Sequence, residues 1–133
     1  MENSQKIHIK ILCPNGLFYE MFAISIVFPD QEGQRAIFPQ HIPFVCIIGT
    51  GIIKVHKSDS TFDAFYLEEG LLENKENQVI ILSHTIIKPS SLDKQALEKR
   101  LYELQSLSVK NIDSYQERLE EIKKIKLKKK LLE

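Results

Sequence analysis

The chain has 133 residues, enough for one domain or a small domain with an appendage, and its apolar fraction of 43% is sufficient to form a core. Formal net charge is zero, so there is no global case for nucleic acid or a membrane surface as partner. The charge is uneven, however: residues 1–88 carry 7 basic and 10 acidic side chains, a balance of −3, whereas residues 89–133 carry 11 and 8, a balance of +3. That asymmetry predicts two parts with different tasks, 1–88 and 89–133.

The first part has the period of strands. In "KIHIKIL", Ile7, Ile9 and Ile11 alternate with Lys6, His8 and Lys10, as in a half-buried strand. "PNG" (Pro14–Gly16) reads as a turn, after which Phe18, Phe22, Ile24, Ile26 and Phe28 occupy alternate positions, apart from Glu20. "FPDQEG" turns the chain again. "FVCIIG", "GIIKVHK", "DAFYLEE", "GLLEN" and "NQVIILSH" then follow at short, regular intervals. This spacing predicts an all-β sandwich or barrel.

After Lys88 the period changes. "PSSLDKQALEKRLYELQSL" opens with Ser90 and, three residues on, Asp93, the layout of a capping box. Leu97, Leu101 and Leu104 then recur at helical spacing. "SVKNID" breaks the run, and a second start places Asp113 and Gln116 in capping positions, with Tyr115, Leu119, Ile122 and Ile125 as the apolar stripe. The prediction is an antiparallel pair of helices whose stripes are covered by each other, by the β part or by a partner. Such a pair has little core of its own and should be weakly fixed.

No residue pattern in the chain is specific enough to name a catalytic site. Cys13 and Cys46 have no CxxC spacing and no histidine nearby in sequence, which argues against a zinc site, and they read as buried free thiols. The four histidines, His8, His41, His56 and His84, have no ligand spacing, and His8 and His56 fall on the polar side of strands. "GTG" at Gly49–Gly51 lacks the remainder of either phosphate-loop pattern. Glu68–Glu69 and Glu120–Glu121 read as solvent-facing acidic pairs. The N-terminus lacks the layout of a secretory signal, and no apolar run reaches the length of a membrane span, so a cytosolic chain is expected.

Two features stand out. "KKIKLKKKLL" puts six lysines, Lys123, Lys124, Lys126, Lys128, Lys129 and Lys130, within eight positions, either a solvated helix face or a contact for an acidic protein surface. Nucleic acid is disfavoured, because no aromatic residues interleave for stacking. In "GQRAIFPQHIPF", Gly33–Phe44, the prolines Pro39 and Pro43 flank His41 and fix φ on both sides, which suits a rigid exposed loop.

With these residues in view, the chain resembles the epsilon subunit of the rotary F-type ATP synthase. That family's hallmark reads Gly-Glu-Leu-Gly-Ile-(Leu/Tyr)-Pro-x-His-(Ala/Ser)-Pro-Leu, and Gly33, Ile37, Pro39, His41 and Pro43 match it in register. Gly51, the Tyr66-Leu67 pair followed by Gly70, and Leu92-Asp93 at the helix start match in order. The resemblance implies an α+β chain, a ten-stranded β-sandwich (1–88) followed by an antiparallel two-helix hairpin (89–133), with no catalytic activity. It implies a peripheral position on the inner, cytoplasmic face of the cell membrane, with no direct insertion. The implied partners are the gamma subunit, the membrane c ring and, when the hairpin is extended, the catalytic alpha and beta subunits. The hairpin would inhibit ATP hydrolysis, with Lys123–Lys130 meeting an acidic segment of beta. Gly33, Gln34, Ile37, Pro39, His41 and Pro43 would form the rotor docking loop.

The chain departs from the family at Gln34, Arg35, Ala36 and Phe44, where Glu, Leu, Gly and Leu are usual. These changes also fit a variant, a subunit of a specialised F-type-like ATPase not coupled to a standard proton ring. Some relatives bind ATP through Ile/Leu-Asp-x-x-Arg-Ala. Leu92 and Asp93 match that motif, but Ala96 and Leu97 stand where Arg and Ala belong, so no cofactor and no ATP binding by the hairpin are expected. The alternative from another class is a free-standing adaptor that binds an acidic protein through the lysine-rich helix.

Overall fold

The computed structural model describes residues 5–106 and 112–133, with the backbone alone for Ile112 and Asp113. Ten strands form two five-stranded sheets, and two helices follow. The first sheet has the order β2-β1-β9-β8-β5, from β1 (Ile7–Cys13), β2 (Gly16–Ala23), β5 (Phe44–Ile48), β8 (Gly70–Lys75) and β9 (Gln78–Leu82). The second has the order β10-β7-β6-β3-β4, from β3 (Ser25–Asp30), β4 (Gly33–Ile37), β6 (Gly51–His56), β7 (Phe62–Glu68) and β10 (Thr85–Ile87). Of the sandwich-or-barrel alternatives, the structure is a sandwich.

Alternation builds the core. Ile7, Ile9 and Ile11 of β1 lie beside Val79 and Ile81 of β9 and Leu72 of β8 on one face and cluster with Ile26, Phe28, Ile53, Val55, Phe65 and Leu67 of the second sheet. The run from Phe18 to Phe28 is not one face. The chain bends at Ile24, whose N–H donates to the His56 carbonyl, and a register shift lies between Ile11 and Leu12. Phe22 therefore points outward and stacks on His8 at 4.6 Å, while Phe28 is in the core.

Five connections cross between the sheets. Two of them, β7 to β8 and β9 to β10, run side by side and are tied by the buried Ser83 hydroxyl, which accepts from the Thr85 amide and has the Glu69, Thr85 and Glu68 carbonyls at 2.8, 3.0 and 3.1 Å as acceptors for its single proton. At this corner a Cβ on Gly70 would stand 2.6 Å from the Leu82 carbonyl oxygen, so only glycine fits. "GTG" is another crossing, from β5 to β6, where Gly51 sits against the Pro29 ring.

The helical part starts later than the capping box predicts. Pro89–Ser91 form a 3₁₀ turn, and α1 runs from Lys94 to Ser106. Asp93 is itself the N-cap, its Oδ1 accepting from the Gln95 and Ala96 amides at 3.0 and 3.3 Å, because a shorter step from the 3₁₀ turn leaves Ser90 outside the helix. The second helix, α2, is Ile112–Leu131. Of the expected break at "SVKNID", residues 108–111 lie outside the described residues, and because α2 already includes Ile112, the backbone of Asp113 is helical rather than at the cap position expected of it. Arg100 to Glu121 (2.9 Å) and Glu98 to Lys129 (3.8 Å) join the helices antiparallel.

Candidate functional site

The loop between β4 and β5 links edge strands of the two sheets. Gly33 enters β4 at φ 134°, a left-handed value that suits glycine. Gln34 is exposed, but Ile37 is fully buried, so this member of the predicted docking set belongs to the core. Phe38, Ile42 and Pro43 are exposed, Ile42 to 74%, whereas Pro39 and His41 are half-buried. The His41 ring leans on Phe44 at 5.3 Å, and the His41 backbone N–H donates to the Phe38 carbonyl. Arg35 lies over the Phe44 ring at 4.7 Å and pairs with Asp30 at 3.6 Å. The loop therefore presents Phe38 and Ile42 more fully than His41.

Two asparagines distant in sequence fix this loop. Asn74, 2% exposed, donates its side-chain amide to the Ile42 and His41 carbonyls at 3.1 and 3.5 Å. Asn77 Oδ1 accepts from the Gln40 N–H at 2.6 Å, and Gln40 holds φ 66°. One signal was available: Asn74 sits two residues after Leu72, at an inward position of its strand, where a polar side chain must find partners.

The second site is the outer face of the second sheet, where α2 lies over β6 and β7. Phe65 and Leu67 point into the core, so Tyr66 and Glu68 point outward, beneath the helix. Glu68 is not solvent-facing as its sequence setting predicts. Its Oε1 accepts from Lys124 Nζ at 3.0 Å and its Oε2 from the Tyr66 hydroxyl at 3.0 Å. Lys128 Nζ sits 5.1 Å above the centre of the fully buried Tyr66 ring. Burial pushes the Glu68 carboxyl up, but the hydrogen bonds from Lys124 and Tyr66 and the charges of Lys124 and Lys128 outweigh it, leaving the group below its ordinary value. The Lys124 ammonium is raised, chiefly by its hydrogen bond to Glu68. The Tyr66 hydroxyl is raised by burial and by Glu68.

The six lysines thus divide. Lys124 and Lys128 face the sandwich, Lys129 faces Glu98 of α1, and Lys123, Lys126 and Lys130 are exposed. Apolar packing of the hairpin is thin. Leu104 and Ile125 are buried, but Tyr115 and Leu119 of the predicted stripe remain exposed. A cavity of about 550 Å³ lies beside α2, lined by Thr50, Glu68, Thr85, Lys124 and Leu127 among others.

A third surface is the outer face of the first sheet. Strand register places Leu17, Leu12, Leu82, Leu71 and Ile47 in one row across all five strands. All but Leu12 are exposed. The row borders a cavity of about 600 Å³ lined by Leu12, Cys13, Ile47, Gly70, Leu82 and His84. Cys13 and Cys46 are half-buried free thiols rather than fully buried ones, and among the described residues no group of His, Cys, Asp or Glu could hold a metal ion. Among the same residues no helix is long and apolar enough to cross a membrane. The Asp93 carboxylate is occupied as the cap of α1.

Comparison with known proteins decides the family. Residues 6–89 match the model of the ATP synthase delta/epsilon chain β-sandwich domain. The chain belongs to the ATP synthase epsilon chain family. Its relatives include the ATP synthase epsilon chain of Halalkalibacterium halodurans, 31% identical over 111 residues, 80% of this chain and 83% of the relative. The epsilon chain of Leptospira borgpetersenii is 30% identical over 79% of this chain and 82% of the relative. That of Sulfurimonas denitrificans is 26% identical over 77% and 78%. Among solved structures, a chain of the Euglena gracilis mitochondrial ATP synthase assembly of OSCP, F1 and c-ring superposes with TM-score 0.85 at 15% identity, covering 100% of this chain and 85% of that one. A chain of the Tetrahymena thermophila central stalk and c-ring gives 0.65 at 12% identity, covering 99% and 100%. At those identities the structural likeness shows the fold alone.

Proposed function

We propose that this epsilon-family chain is a non-catalytic central-stalk subunit of an F-type rotary ATPase. Its sandwich binds the gamma subunit and links rotor parts, and its hairpin restrains ATP hydrolysis by moving from the sandwich toward alpha and beta. The observation that carries this is the unequal treatment of the two sheet faces. One is covered by a hairpin tied to it by Lys124–Glu68 and Lys128–Tyr66 beside the buried Ile125, the other carries a bare aliphatic row across five strands. A sheet face of that kind fits a permanent apolar interface, and a lightly packed hairpin fits a moving part.

The row Leu17–Leu12–Leu82–Leu71–Ile47 supports gamma docking, and the loop tip with Phe38, Ile42 and His41 supports contact with the next rotor component, the c ring in a proton-coupled machine. Gln34 and Arg35 support the variant in which that component belongs to a specialised ATPase. The exposed Lys123, Lys126 and Lys130 support an electrostatic contact with an acidic segment of beta.

The test is deletion of residues from Pro89 onward, with ATP hydrolysis measured in the reconstituted complex. The rate should rise; an unchanged rate would show that the hairpin is not an inhibitor in this complex.

A further inference from the structure

Spacing along α2 separates its lysines by task. Lys124 and Lys128 are four residues apart and share the face turned to the sheet, while Lys123, Lys126 and Lys130 lie on the exposed side. The receiving group is equally specific. Tyr66 is fully buried in a strand whose neighbours Phe65 and Leu67 face the core, so its ring is clamped between sheet and helix. Its hydroxyl points one Glu68 oxygen, leaving the other for Lys124. A carboxylate beside an aromatic face receives one ammonium by hydrogen bond and a second over the ring.

We propose that Glu68 and Tyr66 form an internal receptor that latches the hairpin on the sandwich by occupying Lys124 and Lys128, in competition with any acidic partner surface for those two lysines. This deepens the rotor reading and rests on it only for the identity of the competitor. An acidic surface approaching the docked hairpin meets the row Lys123, Lys126 and Lys130 first. The other two lysines become available only when the latch opens. Tyr115 and Leu119 stay exposed, whereas Ile125 and the Tyr66 ring are buried at this contact, so the latch acts together with a small apolar seam.

The latch is testable on the isolated full chain by amide hydrogen exchange of α2, with β1 and β9 as internal controls. Glu68→Gln and Lys124→Gln should each speed exchange around Ile122–Lys128 by about threefold to tenfold, the range for a partly buried, hydrogen-bonded ion pair. The strands should be unaffected, and the double variant should be no faster than the faster single one. Should Glu68→Gln loosen the strands as well, Lys124→Gln decides alone, since that side chain projects from the helix surface. Unchanged α2 exchange in the Lys124 variant, or effects that add in the double variant, would overturn the latch. Neither result depends on an ATPase complex, so a failed latch leaves the rotor reading standing, and a failed rotor reading leaves the exchange result intact.

Discussion

Lys124 Nζ and Glu68 Oε1 stand 3.0 Å apart although 56 residues separate them in the chain. This pair, with Tyr66 and Lys128 around it, is the main polar tie between hairpin and sandwich and sets how docking responds to solution conditions.

Docking should depend on pH at both ends of the scale. The Glu68 carboxyl is held below its ordinary value in the docked state, so its contribution is present above the free carboxyl value of about 4.3 and is lost as pH falls through the lowered one. Lys124 is shifted up, so its contribution is present below the free ammonium value of about 10.4 and is lost as pH rises through the raised one. Chemical shifts of the Ile125 amide should report a constant docked state at neutral pH and release below about pH 4.3, with the low-pH step absent in Glu68→Gln. A low-pH step of the same size in that variant would remove Glu68 from the account.

Replacing Asn74 by Ala should destabilise the chain by about 1–3 kcal/mol, because the Ile42 and His41 carbonyls lose a buried donor. Urea unfolding measures it. The loop Phe38–Pro43 should lose protection from exchange more than the neighbouring strands do.

Gly70→Ala should cost at least about 1–3 kcal/mol, since the new Cβ would meet the Leu82 carbonyl oxygen at 2.6 Å and the paired crossovers at Ser83 leave no room to shift. The melting temperature of the variant tests this directly.

The turn between β8 and β9 predicts the opposite sign. Glu76 and Asn77 both hold positive φ, 53° and 59°, as a two-residue hairpin turn requires. Glutamate is strained there, and Glu76→Gly should stabilise by about 0.5 kcal/mol after the added freedom of the unfolded chain is deducted. Asn77→Gly should not help, since it removes the acceptor of the Gln40 amide.

The strands were legible where polarity alternates strictly, as at Ile7, Ile9 and Ile11. They were less so where two strands meet without a polar break, as at Phe22 and Ile24, because a bend turns the period without changing the residue types. The helix start was displaced for a related reason: Ser90 and Asp93 both have capping chemistry, and only the backbone decides which uses it. The family pattern around His41 was plain in the sequence, whereas its support from Asn74 and Asn77 arises from strand pairing more than thirty residues away. Glu68 was misplaced as solvent-facing because nothing local distinguishes it from Glu69; its partner is chosen by how the hairpin folds back. The lysine run was visible as six charges, but its division into inward and outward sets needed the helix to be placed on the sheet.

Whether this chain works as part of a rotary ATPase rotor is decided by co-purification of the tagged full chain from its own cells. Gamma, alpha and beta homologues should be recovered together with it, and charged substitutions in the row Leu82, Leu71 and Ile47 should abolish the recovery of gamma. Consistent recovery without those subunits, with an acidic protein bound through Lys123, Lys126 and Lys130 instead, would contradict it and favour a free-standing adaptor.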